Sequence, residues 1–87
     1  MQIEHDDMGQ KFWVEAEGEE ALLAYTMVND VLNLHFLTAP NSEVADELCT
    51  AAFEYAKANA LKITSSNKYV DEFVRKHPEF ERLLESE

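Results

Sequence analysis

The chain is 87 residues long. At this size folding buries roughly 60–65% of the surface an unfolded chain exposes, so one domain, 1–87, with one modest core is the limit. Eighteen acidic residues face seven basic ones for a net charge of −11, which argues against nucleic acid and against anionic membranes as partners, because both repel such a surface. A basic protein or an amine-bearing small molecule is attracted instead.

The first elements follow a period of two. Met1 to His5 reads as a short edge strand. In Lys11 to Glu17, Phe12, Val14 and Ala16 alternate with Trp13 and Glu15, a strand pattern bounded by Gly9 and Gly18. From Glu20 to Val28 the residues Leu22, Ala24, Thr26 and Val28 oppose Leu23, Tyr25 and Met27. Asn29-Asp30 then reads as a turn, since both residues tolerate left-handed backbone. Val31 to Leu37 follows as a strand with Leu32, Leu34 and Phe36 on one face and His35 on the other. Tight connections between these strands predict an antiparallel meander.

The period changes at Asn41. Val44, Leu48, Ala51, Ala52, Tyr55 and Ala56 fall on one face of an amphipathic helix reaching about Asn59, with Asn41 or Ser42 available as its cap. Leu61 to Thr64 reads as a strand. Ser66 or Asn67 can cap a second helix with Val70, Phe73 and Val74 inward; Pro78 ends it, and Glu79 to Leu84 reads as a last short helix. Strands, helix, strand, helix in this order predict an α+β domain.

Few residues carry a chemical signal of their own. Cys49 is the one cysteine, so no intrachain disulfide forms, and its neighbours Asp46 and Glu47 are the wrong sign for a thiolate; it reads as a core residue. His5-Asp6-Asp7 and His77-Pro78-Glu79 lack metal-ligand spacing, so no metal site is expected. Glu19-Glu20 and Asp71-Glu72 are adjacent in sequence, point apart, and read as solvated charge. No apolar run reaches the ~20 residues a membrane span needs, no secretory leader is legible, and the cytoplasm is the default expectation.

The junction from His35 to Glu43 is where backbone geometry favours chemistry, because a helix N-terminus offers unpaired amides and the positive end of a dipole. A tight phosphate grip needs glycines as well, so that the backbone can approach. The junction has no glycine, Lys or Arg, and Glu43, Asp46 and Glu47 occupy the first helical turns. It reads first as a helix cap.

Taken in order, His35, the stretch LCTAAFEYAKANALKI (Leu48 to Ile63) and NKYVDEFVRKHPEF (Asn67 to Phe80) resemble the small GNAT-type N-acetyltransferase-like proteins. In those proteins a meander, a CoA-binding loop, a helix, a strand and a C-terminal helix ending in His-Pro-acid-aromatic follow in this order, and His77-Pro78-Glu79-Phe80 matches that ending. The resemblance is fullest from Leu48 to Leu84 and covers Lys11 to Phe36 in the same order. It implies acetyl transfer from acetyl-CoA to an amine, with pantetheine along a splayed fourth strand (Val31 to Leu37) and the thioester near the fifth (Leu61 to Ser65). Leu37, Thr38, Asn41, Ser42, Val44, Asn67 and Tyr69 are the implied cofactor contacts, and His35 and Asn67 the implied catalytic residues. His35 is read either so or as a structural histidine.

Two departures set this chain apart. The loop is about three residues short, with Pro40-Asn41-Ser42-Glu43 where a Gln/Arg-x-x-Gly-x-Gly/Ala pattern should hold pyrophosphate, and Ser65 and Asn67 stand where the small members carry Pro-x-Cys. The expectation is therefore a GNAT-fold protein with a weakened or lost acetyl-CoA site. The alternative is a non-catalytic acidic interaction domain on the same fold. A monomer or a weak homodimer is expected, the latter through a sheet edge or an aromatic face that includes Trp13.

Overall fold

The computed structural model describes residues 1–85. Five strands form one sheet in chain order: β1 (Glu4–Asp6), β2 (Lys11–Ala16), β3 (Glu19–Val28), β4 (Val31–Thr38) and β5 (Lys62–Ser65). The helices are α1 (Ser42–Ala58) and α2 (Lys68–Lys76), followed by a 3-10 helix over Pro78–Leu83. The domain is α+β as expected, with helix boundaries within two residues of the sequence pattern. The last helix differs: it starts at Pro78, not Glu79, and its turns are 3-10. The edge strand is confined to Glu4–Asp6.

β1 to β4 pair antiparallel, and tight turns set the register. Glu17 and Gly18 connect β2 to β3 at φ 53° and 79°, and Asn29 and Asp30 connect β3 to β4 at φ 53° and 65°. Two successive left-handed residues twist a two-residue loop in the sense the strands require. β4 then leaves the meander through α1, the crossover that a parallel strand pair needs, and returns as β5 with Val31 opposite Lys62 and Leu34 opposite Ser65.

One irregularity changes the reading of β4. Ala24 lies opposite Phe36 and Tyr25 opposite Leu34, so His35 is an extra residue without an opposite number, a β-bulge. The bulge shifts the alternation by one. Leu32 and Leu34 are buried, Leu37 continues the inward row, and Phe36 turns outward at 52% exposure. The expectation that Phe36 packs inward with Leu34 is thus corrected, because simple alternation does not survive an inserted residue.

The core lies between one sheet face and the helices. Phe12, Val14, Ala21, Leu23, Tyr25, Leu32 and Leu34 face Val44, Leu48, Ala52 and Ala56 of α1. Ala45, Cys49 and Phe53 are buried as well, so α1 buries a wider stripe than the sequence pattern marked. It does so because α1 is covered twice, by the sheet and by the C-terminal elements. Phe53 stacks with Phe80 at 5.1 Å between centroids, and Phe73 lies 5.7 Å from Phe53. His77 stacks on Phe73 at 4.1 Å while its Nδ1 lies 2.9 Å from the Phe73 carbonyl. The His-Pro-acid-aromatic ending therefore closes the core: Pro78 turns the chain and Phe80 fills the gap beside Phe53.

The His5 side chain anchors β1 in addition to its three paired residues. His5 stacks on Phe12 at 4.2 Å, meets Tyr55 edge-on at 4.4 Å, and its Nε2 lies 2.7 Å from the Tyr25 hydroxyl. Burial lowers the His5 pKa below its ordinary 6.5, against the opposing pull of Asp7 and Asp6. A group whose folded pKa is depressed contributes stability above its unfolded pKa and loses it as pH falls through the folded value. Lowering the pH from 7 to 5, a window of about two units around the unperturbed His value, is expected to cost wild type more stability than His5→Phe. Parallel denaturation midpoints for the two proteins across that window would refute the assignment. Phe53→Ala is expected to cost about 3–5 kcal/mol in urea unfolding, as for other large core aromatics.

Candidate functional site

The β4–β5 pairing ends at Leu34–Ser65, with the Ser66 amide donating to the Leu34 carbonyl at 2.9 Å. Beyond it β4 runs on to Thr38, while the other chain turns away into α2. From His35 onward the β5-facing edge of β4 has no strand partner among the described residues. Side-chain bonds pin the start of this fork: Asn33 Nδ2 donates to Thr64 Oγ1 at 2.9 Å and to Ser66 Oγ at 3.1 Å.

Both helices begin at the mouth of the fork, for local reasons written in the sequence. Asn41 caps α1, its Oδ1 accepting from the Val44 amide at 2.9 Å. Asn67 caps α2, accepting from the Tyr69 and Val70 amides at 2.9 and 3.2 Å. Ser65 holds the approach: its hydroxyl donates to the Asn67 carbonyl at 3.0 Å and accepts from the Asn67 amide at 3.2 Å. The fork and the two caps enclose a cleft of about 250 Å³ lined by Leu37, Ala39, Asn41, Ser42, Ala45, Asn67 and Tyr69.

Five of the residues expected in a cofactor site thus come together in one cleft: Leu37, Asn41, Ser42, Asn67 and Tyr69. Val44 is not in its wall; its side chain is buried in the core and only its amide serves the cap. Thr38 is exposed on β4 opposite Leu22, and His35 is exposed on the bulge, also outside the lining. Ala39 and Ala45 are wall residues that the sequence reading did not mark. Ala45 was findable, since it follows Asn41 by one helical turn.

No lining residue is charged, but two of them bind carboxylates that stand outside the lining. Tyr69 donates its hydroxyl proton to Asp46 Oδ1 at 2.6 Å, with the Ser42 carbonyl at 3.3 Å. Burial, the bond to Asp46 and the Asp46 charge all raise the Tyr69 pKa, so it stays a neutral donor. Asn41 Nδ2 donates to Glu17 Oε2 at 2.7 Å, bringing in a carboxylate from the β2–β3 hairpin. Nothing in the sequence marks Glu17, which lies 24 residues from Asn41 and arrives only through the fold. Cys49 is fully buried in α1, and burial, assisted by Asp46, pushes its thiol up to about 12. Among the described residues, no group of three or more His, Cys, Asp or Glu is placed to hold a metal, and no helix is long and apolar enough to cross a membrane. A larger groove of about 570 Å³, between α2 and the 3-10 helix, is lined by Asp71, Val74, Arg75, Pro78, Glu81 and Leu84. It contains no residue of the β4–α1 junction.

These contacts fix two outcomes. Asn67→Ala is expected to cost about 1 kcal/mol of stability by removing the α2 cap, read from the urea midpoint. Cys49 is expected to resist iodoacetamide in the native protein at pH 8, a pH about half a unit below an ordinary thiol pKa, and to react once urea unfolds the chain. Fast labelling of the folded protein would contradict its burial.

The fit to a CoA thioester is divided. Leu37, Ala39 and Ala45 give apolar walls, and Asn67 and Tyr69 give polar edges, as a pantetheine arm requires. The cleft volume falls below the roughly 300–1,000 Å³ of ordinary small-molecule pockets, so it suits an arm and not a whole nucleotide. The α1 N-terminus does not fit a diphosphate, since Glu43, Asp46 and Glu17 crowd it.

The fold is similar to that of a solved structure, a GCN5-like protein from Staphylococcus aureus determined by NMR. The two align with a TM-score of 0.76 over 99% of this chain and 89% of that one, at 22% identity, which establishes a shared GNAT-like fold. The family model described as GCN5-related N-acetyl-transferase matches residues 11–83, from the start of β2 to the end of the 3-10 helix. The chain therefore belongs to the GCN5-related N-acetyltransferase family.

Proposed function

We propose that this protein transfers an acetyl group from a CoA-type thioester to a primary amine, using the fork between β4 and β5 as the acyl site and holding the nucleotide weakly. The observation that supports this is the end of β4–β5 pairing at Leu34–Ser65, which leaves the backbone of β4 unpartnered beside a cleft with apolar walls. When bound, acetyl-CoA supplies the activated carbonyl, the C–N bond forming as the C–S bond breaks and the thiol leaves.

The roles of this chain's residues follow from their positions. Amides of β4 beyond Leu34 are the donors available to a thioester carbonyl, where hydrogen bonds aimed at developing charge are most effective. Leu37, Ala39 and Ala45 exclude water from the arm. His35 stands on the bulge in solvent contact, where it can accept the proton of an incoming amine. The charge of −11 raises the local concentration of a cationic acceptor, an amine-bearing small molecule or a basic protein.

A second reading, an acidic interaction domain on the same fold, is favoured by the carboxylates gathered at the α1 cap. The two separate in an amide chemical-shift titration with acetyl-CoA at millimolar concentration. Shifts clustered at Thr38 to Val44 and around Asn67, with His35→Ala lowering acetyl transfer by about 10²–10³-fold as loss of a general base does, are the expected result. No shift at either segment with acetyl-CoA or acetyl-pantetheine would remove the enzyme reading and leave the interaction domain.

A further inference from the structure

A diphosphate held at a helix N-terminus needs free amides, close backbone approach and neighbours of positive charge. The start of α1 offers none of these in full. Asn41 Oδ1 already takes the Val44 amide, and its Nδ2 is drawn to Glu17. Glu17 sits in left-handed backbone at the tip of the β2–β3 hairpin, so the tight turn itself aims a carboxylate at the cap. On the opposite wall Tyr69 holds Asp46 at 2.6 Å, and Glu43 adds a third charge in the first turn of α1. No lining residue is Lys or Arg. Lys68 follows Asn67 in sequence but forms no part of the wall.

We infer that the cleft selects the neutral pantetheine arm of its acyl donor against the donor's phosphates, with Glu17 and Asp46 as the specificity-determining residues. This rests on the reading of the cleft as an acyl-thioester site and names which part of that thioester is recognised. The affinity of the donor is then set by the arm, and the 3′,5′-ADP portion contributes repulsion in place of grip. Repulsion between exposed like charges is screened by salt. CoA therefore binds more tightly as ionic strength rises, the opposite of a site lined by cations, while neutral pantetheine is indifferent to salt.

The test is a calorimetric titration of the full chain with pantetheine and with CoA at low and at high sodium chloride. Pantetheine is expected to bind within about threefold of CoA at physiological salt, and CoA affinity is expected to rise with salt, as screened repulsion requires. Glu17→Gln and Asp46→Asn keep an acceptor for Asn41 and Tyr69 but remove a charge. Each is expected to strengthen CoA binding by about two- to fivefold at low salt and to leave pantetheine binding unchanged. Matching thermal midpoints with wild type establish that the variants are folded. CoA binding more than about tenfold tighter than pantetheine, and weakening with salt as phosphate–cation contacts do, would overturn the inference alone. Unchanged CoA affinity in both variants would do the same. Failure of pantetheine to bind at any salt would overturn it together with the acyl-site reading.

Discussion

Four residue pairs join β4 to β5, and the structure depends on their stopping where they do. A parallel pair needs a crossover helix, so α1 must start from the end of β4 and lie across the sheet before β5 can form. The same geometry brings the start of α2 to that end. Once Ser65 is paired the chain must turn to begin α2, and β4 is left to run on alone. The fork is therefore a topological consequence of a βαβ unit appended to a meander. The caps at Asn41 and Asn67 convert that consequence into a defined cleft by fixing the angle at which each helix leaves its strand.

The bulge at His35 works on the same strand. By inserting one residue after Leu32 and Leu34, which lie in the core, it brings Leu37 to the cleft and sends Phe36 to the opposite face. A strand without the bulge would carry Phe36 inward and Leu37 outward, and the cleft would lose its apolar end. The polar clusters around the fork serve order before chemistry. Ser65 and Asn67 are occupied in shaping the turn into α2.

The family assignment and the chemistry of the cleft pull in different directions, and charge is the reason. The fold is held by apolar contacts that tolerate almost any surface, so a core built on Phe12, Leu23, Leu32 and Phe53 makes no demand on the charge of the Pro40-Asn41-Ser42-Glu43 junction. A phosphate site does make such a demand, because its grip comes from amides and from the sign of nearby charges. The contacts that hold this fold and those that would hold a phosphate are thus of different kinds.

Much of the architecture was legible in the sequence because it rests on local rules. The Asn29-Asp30 turn, the period of two in β2 and β3, the helix starts at Asn41 or Ser42 and at Ser66 or Asn67 (the caps are Asn41 and Asn67), and the break at Pro78 each depend on residues a few positions apart. The order of motifs from Leu48 to Phe80 sufficed to name the family. The family resemblance also pointed to five residues that the fold brings into the cleft. What only the tertiary structure decided involves distance along the chain or a break in regularity. The bulge at His35 reverses the face of Phe36, and no pattern of two can reveal a residue that has no partner. Glu17 reaches the cap of α1 only because the β2–β3 hairpin folds back to it. Charges near in sequence predicted an acidic junction; the fold added one from 24 residues away, because a sheet brings hairpin tips and helix ends together whatever their order in the chain.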